Sequence, residues 1–108
     1  MFNINENSSK SEVEHAVSSK GNLLKYASDT HKNDKGLVKK AISNNPLAFQ
    51  FASKKLRDDI ELFRLAFGQS YKIIKFASPR IKKEIETNTL SWLREFPNNK
   101  WNLKIQLI

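Results

Sequence analysis

The 108-residue sequence contains no cysteine, which removes disulfides, thiolate metal sites and cysteine nucleophiles together. It has only three glycines, and Gly21, Gly36 and Gly68 stand apart, so no glycine-rich phosphate loop is present. Its apolar runs stop at two or three residues, far short of the ~20 that a membrane helix needs. The first ten residues are polar, without a basic or an apolar segment of the secretory kind. These absences predict a cytoplasmic protein, or one delivered into a host cell, with no membrane partner. Only two histidines occur, His15 and His31, and neither has a Cys, His or carboxylate at metal-ligand spacing. No metal and no cofactor is expected.

What the sequence does have is positive charge. Nineteen Lys and Arg face 11 Asp and Glu, a net of +8. Residues 1–53 carry 7 basic and 5 acidic groups, whereas residues 54–108 carry 12 and 6. The positive field therefore lies toward the back. Lysine outnumbers arginine 15 to 4, and there are 11 Asn and 11 Ser. Lys and Asn have A/T-rich codons, which points to an AT-rich bacterial, phage or parasite genome and offers codon bias as a second source of the charge. Length and a 39% hydrophobic share suit one domain with its own core.

A period of 25 residues runs through the chain. Tyr26-Ala27-Ser28, Phe51-Ala52-Ser53 and Phe76-Ala77-Ser78 recur at that spacing, as do Ala16, Ala41 and Ala66, and Val13, Val38 and Phe63. The copies are expected over 9–33, 34–58 and 59–83, with a partial fourth over 84–96 headed by Glu84 and a tail over 97–108. Leu37, Val38, Ala41 and Ile42 form one stripe of an α-helix, repeated by Leu62, Phe63, Ala66 and Phe67. Asp34 and Asp59 suit the N-cap. These helices should end at Asn44-Asn45-Pro46 and at Gly68, where Asn and Gly tolerate a left-handed residue. A second, shorter helix is expected with Phe49, Ala52 and Leu56 on one face, matched by Ile74, Ala77 and Ile81. Each Ser of the triplet then opens one last turn.

Two short helices cannot bury their apolar faces alone, whereas stacked copies can. The expectation is an all-α, solenoid-like domain of about three and a half helix pairs over 1–108. Ala41 and Ala66 would lie at close helix contacts, and Tyr26, Phe51 and Phe76 would fill the layers.

The residues Asp34, Val38, Ala41, Phe51, Ala52, Ser53, Leu56, Asp59, Phe63, Ala66, Phe76, Ala77, Ser78 and Ile81 resemble the bacterial helical repeat family catalogued as domain of unknown function 4116, over roughly 12–86. The resemblance implies a helical repeat and supplies no catalytic residues. The first copy departs from the pattern: Ser9 replaces the acidic cap, Glu12 an apolar position, and His31 the place of Leu56 and Ile81. It is expected to be a capping unit, loosely packed or frayed.

No catalytic constellation is legible. Ser28, Ser53 and Ser78 recur in every copy, which suits capping better than nucleophilic catalysis. His31 reads as a partly buried structural histidine, and Asp58-Asp59-x-Glu61 as acids drawn to a helix N-terminus. The ends differ from the middle. Trp101, Leu103, Ile105 and Leu107 alternate with polar residues, as do Phe2 and Ile4, which is the period of a strand. A two-strand ribbon within the chain, or a homodimer through the C-terminal tail, would follow. A last helical turn using Trp101, Ile105 and Ile108 is the alternative.

The sequence thus points to a non-enzymatic interaction module, in the narrower form a small phage or bacterial inhibitor or effector binding a host protein complex. The alternative is a nucleic-acid-binding protein using the basic C-terminal half. Candidate partner-binding residues are Lys54, Lys55, Arg57, Arg80, Lys82 and Lys83, expected along one edge of the stack, together with Trp101 in the tail.

Overall fold

A computed structural model describes residues 3–97, and every described element is helical. The chain runs through α1 (Lys10–Ser19), a 3-10 helix η1 (Gly21–Tyr26), α2 (Asp29–Lys32), α3 (Lys35–Asn44), η2 (Pro46–Phe51), η3 (Leu56–Asp58), α4 (Ile60–Phe67), η4 (Tyr71–Phe76), α5 (Pro79–Thr87) and α6 (Thr89–Glu95). The expected strand ribbon and the tail with Trp101 lie outside the described residues, as does Phe2.

The elements form two rows. Helix α3 packs against α1 on one side and α4 on the other, while η2 packs between η1 and η4. The stripe positions drive this arrangement: Val13, Ala16, Val17, Val38, Ala41, Ile42, Leu62, Phe63, Ala66 and Phe67 are fully buried. Each large side chain among them contributes about 1.5–3 kcal/mol on burial. Ala41 and Ala66 lie in the helical row, where a small residue lets neighbouring backbones approach. At the far end Trp92 of α6 meets Phe63 and Phe67 edge-on at centroid distances of 5.5 and 5.8 Å. Phe49 of η2 also reaches Phe63, at 6.1 Å, and so joins the two rows.

The caps form as expected. Asp34 Oδ1 accepts from the Leu37 N–H, and Asp59 Oδ1 from those of Glu61 and Leu62. Each cap also receives the lysine that opens the previous helix: Lys10 reaches Asp34 at 3.2 Å and Lys35 reaches Asp59 at 3.0 Å. Burial would raise the pKa of both carboxyls. For Asp34 the Leu37 N–H and Lys10 outweigh burial, and for Asp59 Lys35 and the Leu62 N–H do so; both are held below the usual range.

Several expectations are corrected. The second helix of each copy is a six-residue 3-10 turn that ends at an extended alanine, Ala27, Ala52 or Ala77. Six residues between a capping residue and that break are too few for a stable α-helix, and 3-10 geometry closes i→i+3 bonds over short runs. In η4 the fully buried isoleucine is Ile73, and Ile74 is only partly buried. Tyr26 is half exposed instead of filling a layer, which leaves its hydroxyl to water, and Phe51 and Phe76 are half-buried. Helices α3 and α4 end without a left-handed residue: Asn45 is extended at φ −148°, and Gly68 keeps helical angles at φ −60°. Glu84 heads nothing; it lies inside α5, which runs on to Thr87.

The first unit is not frayed. Ser9 and Glu12 form a reciprocal capping box, at 3.2 Å and 2.9 Å, so the two departures from the pattern there compensate each other. Gly21 closes the joint after α1. Its N–H donates to Asn44 Oδ1 at 2.7 Å, and a Cβ on it would lie 2.2 Å from the Ala41 carbonyl oxygen. Asn44 Nδ2 returns bonds to the Ser18 and Ser19 carbonyls.

Candidate functional site

The three serines are structural, as expected. Ser28, Ser53 and Ser78 Oγ each accept the N–H three residues on, from His31, Leu56 and Ile81, all at 3.2 Å. Two of them also build junctions with segments 21 residues earlier in the chain, Ser53 with Lys32 and Ser78 with Arg57. The Ser53 N–H donates to the Lys32 carbonyl at 2.9 Å, and the Ser78 N–H to the Arg57 carbonyl at 3.2 Å. Their hydroxyls donate onward, Ser53 Oγ to Asn33 Oδ1 and Ser78 Oγ to Asp58 Oδ1, both at 2.6 Å. The Ser53 and Ser78 oxygens thus each serve a cap and a junction, and that of Ser28 a cap.

These junctions position the candidate basic residues. Lys54 and Lys55 are exposed in the turn that follows Ser53. Arg57 is half-buried in η3, and its Nε is buried with no hydrogen-bond partner. Lys82 is half-buried and Lys83 exposed on α5, one junction further along. Arg80 is exposed but paired within the chain: its Nε donates to Asp58 Oδ1 at 2.8 Å and its Nη2 to the Asp58 carbonyl at 2.6 Å. The Ser78 hydroxyl, and then Arg80, hold the Asp58 carboxyl below its usual range. The row is therefore not uniformly basic.

Asp58 was grouped by sequence with Asp59 and Glu61 as a helix-terminus acid. Only Asp59 is the N-cap of α4 and Glu61 its first-turn acid; Asp58 serves the second junction. The signal that would have separated them was the 25-residue register, which pairs Asp58 with Asn33 and Arg80 with Lys55.

Charge is neutralised unevenly. On the α-helical side carboxylates meet lysines: Glu14 with Lys40 at 2.6 Å, and Glu61 with Lys35 and Lys39 at 3.4 and 3.5 Å. Lys40 lowers the Glu14 pKa, and Asp59 followed by Glu61 raises that of Lys35. Among the described residues Lys54, Lys55, Lys82 and Lys83 have no such carboxylate; Glu84 and Glu86 are exposed on the same helix as the last two. A shallow depression of about 610 Å³ lies beside the first turn region, lined by Lys25, Tyr26, Asp29, Lys32 and residues 4–7. Lys25 Nζ stands 4.9 Å from the Tyr26 ring centre.

Among the described residues no group of three or more His, Asp or Glu could hold a metal ion. None of the helices there is long and apolar enough to cross a membrane. His31 is half-buried, and its Nδ1 is buried with no partner.

The chain matches the family described as domain of unknown function (DUF4116) in two overlapping stretches, residues 12–56 and 34–82. It belongs to that family. No curated protein and no solved structure gives a significant match.

Proposed function

We propose that this DUF4116 member is a non-enzymatic interaction module, a short stack of 25-residue helical units over 9–33, 34–58 and 59–83, that binds an acidic surface of another protein. The carrying observation is the unequal neutralisation of charge. Lysines of the α-helical row are bound by carboxylates of the same chain, while among the described residues Lys54, Lys55, Lys82 and Lys83 along the junctions are not, and neither are Lys20, Lys25, Lys32, Lys72 and Lys75. Such a strip steers and orients an anionic partner more than it holds one. In its narrower form the reading makes the chain a small phage or bacterial inhibitor or effector acting on a host protein complex in the cytoplasm.

The test is the reversal of these four lysines to Glu. Arg57 and Arg80 are left alone, because Arg80 secures a junction and the Arg57 Nε is buried. The variant should lose its co-purifying protein partner, identified by mass spectrometry after nuclease treatment, while its melting temperature stays within about 3 °C of the parent. A folded variant that retains the partner would overturn the reading. Nucleic acid is the competing partner, since the same ammonium groups neutralise phosphates. Binding that disappears with nuclease and weakens steeply with salt would assign it.

A further inference from the structure

We propose that the first junction, around Asn33, Ser53 and Lys55, receives a carboxylate side chain of an acidic protein partner. The inference rests on the interaction reading above and names the chemistry of its central contact.

The second junction carries its own anion. Asp58 accepts from the Ser78 hydroxyl and from Arg80, so cation and carboxylate satisfy each other within the chain. Moving back 25 residues, the Ser53 hydroxyl donates to Asn33 at the same 2.6 Å, and Lys55 takes the register of Arg80. The backbone bond is also the same, from Ser53 to Lys32 as from Ser78 to Arg57. The difference that matters here is the charge. Asn33 is neutral, and with Oδ1 committed to Ser53 its remaining polar group is the Nδ2 amide, a donor where Asp58 has a second acceptor oxygen.

The first junction therefore has an amide donor where the second has a carboxylate oxygen. Lys55 has no carboxylate within ion-pair distance among the described residues; Lys54 adjoins it and Lys32 precedes Asn33. Arg57, between the two junctions, has a buried Nε without a partner. The acid next to Asn33, Asp34, is held by Lys10 and by the Leu37 N–H, and Asp29, at the start of α2, makes no ion pair among the described residues. Asp58, in the same turn as Lys55, is held by Arg80. A partner carboxylate has two oxygens for two kinds of donor, the Asn33 amide and the Lys55 ammonium. A protein carboxylate is the occupant the observations favour, because the matching junction already holds one.

Two substitutions exchange the junctions. Asn33→Asp copies Asp58 into the first and should neutralise Lys55 from within; Asp58→Asn copies Asn33 into the second and should release Arg80. Ser43→Asp makes the same charge change as the first on the exposed face of α3. The probes are a fluorescein-labelled Glu-rich dodecapeptide and a labelled single-stranded oligonucleotide, read by anisotropy at low salt. Asn33→Asp should weaken peptide binding about fivefold and Ser43→Asp less than about twofold. Asp58→Asn should tighten it, with melting curves confirming that each variant is folded. An Asn33→Asp effect no larger than that of Ser43→Asp, or a folded Asp58→Asn protein that binds no better, overturns the junction while leaving the basic strip intact. Peptide binding unaffected by reversing Lys54, Lys55, Lys82 and Lys83 overturns the interaction reading itself. Binding of the oligonucleotide alone, weakened by Asn33→Asp, moves the site to nucleic acid.

Discussion

The row of α-helices and the row of 3-10 helices share one 25-residue sequence period, yet different physics holds each. Helices α1, α3 and α4 run for eight to ten residues, carry side-chain caps and are joined by Lys–Asp pairs. Segments η1, η2 and η4 run for six and end at an extended alanine, and η2 and η4 start from an extended Asn45 or Ser70 whose side chain also caps them. Their fixed points are buried side chains, Leu24, Ala48, Phe49 and Ile73. Apolar spacing thus marks which residues are buried, while the distance between breaks decides which helix buries them. Both rows are packed from within, and the first adds Lys–Asp pairs along its surface.

The joint between the rows is the place to break that contrast hardest. Gly21 begins η1 against α3, and a Cβ there would meet backbone at 2.2 Å, not a side chain that could swing aside. Register positions Pro46 and Tyr71 carry side chains in η2 and η4, so the close approach belongs to the first unit alone. Gly21→Ala should cost about 3 kcal/mol, at the upper end of overpacking penalties, read from urea melts. A loss below about 1 kcal/mol would mean that η1 moves off α3 easily and that the rows are loosely joined.

Within the α-helical row the probe is Ala66→Leu. Ala66 is fully buried beside Phe63 and Phe67 on α4, so added methyl groups have no solvent to enter. An expected loss of about 2 kcal/mol would be smaller than at Gly21, because side chains can yield where backbone cannot. A change inside about 0.5 kcal/mol would show slack between α3 and α4.

How much of this was legible follows from the same contrast. The helical stripes, the Asp34 and Asp59 caps and the capping serines rest on local periodicity and hydrogen bonding, so the residues themselves announce them. The 3-10 geometry was not legible, because Phe49, Ala52 and Leu56 fit a longer α-helical face equally well until the extended backbone at Ala52 intervenes. The basic edge was legible only as a list of lysines. That Arg80 is bound to Asp58 depends on a contact between residues 22 apart, which no local pattern reports. The Asn33/Asp58 difference was open to inspection in the register, but has no meaning until both are seen to accept from a serine hydroxyl. Glu84 misled because a helix that continues and one that restarts look alike when the acid is compatible with both.

The smallest expected effect concerns one histidine. In the final turn of successive units the same register holds His31, Leu56 and Ile81; the last two are 6% and 0% exposed. His31 is half-buried, and its Nδ1 lies out of solvent with no hydrogen-bond partner. A buried ring nitrogen in that position loses hydration without regaining a bond, whereas a leucine of similar size would bury only carbon. The Ser28 cap on this turn uses the backbone N–H of residue 31, so it survives the exchange. His31→Leu should therefore stabilise the protein by about 1 kcal/mol, bringing the first turn toward the pattern of the other two. The urea midpoint should rise with an unchanged slope, since the surface exposed on unfolding hardly alters. A fall of more than about 0.5 kcal/mol would show that the imidazole makes a bond worth keeping, through Nε2 or a bridging water, and that this turn is held by polar contact where its counterparts are held by apolar burial.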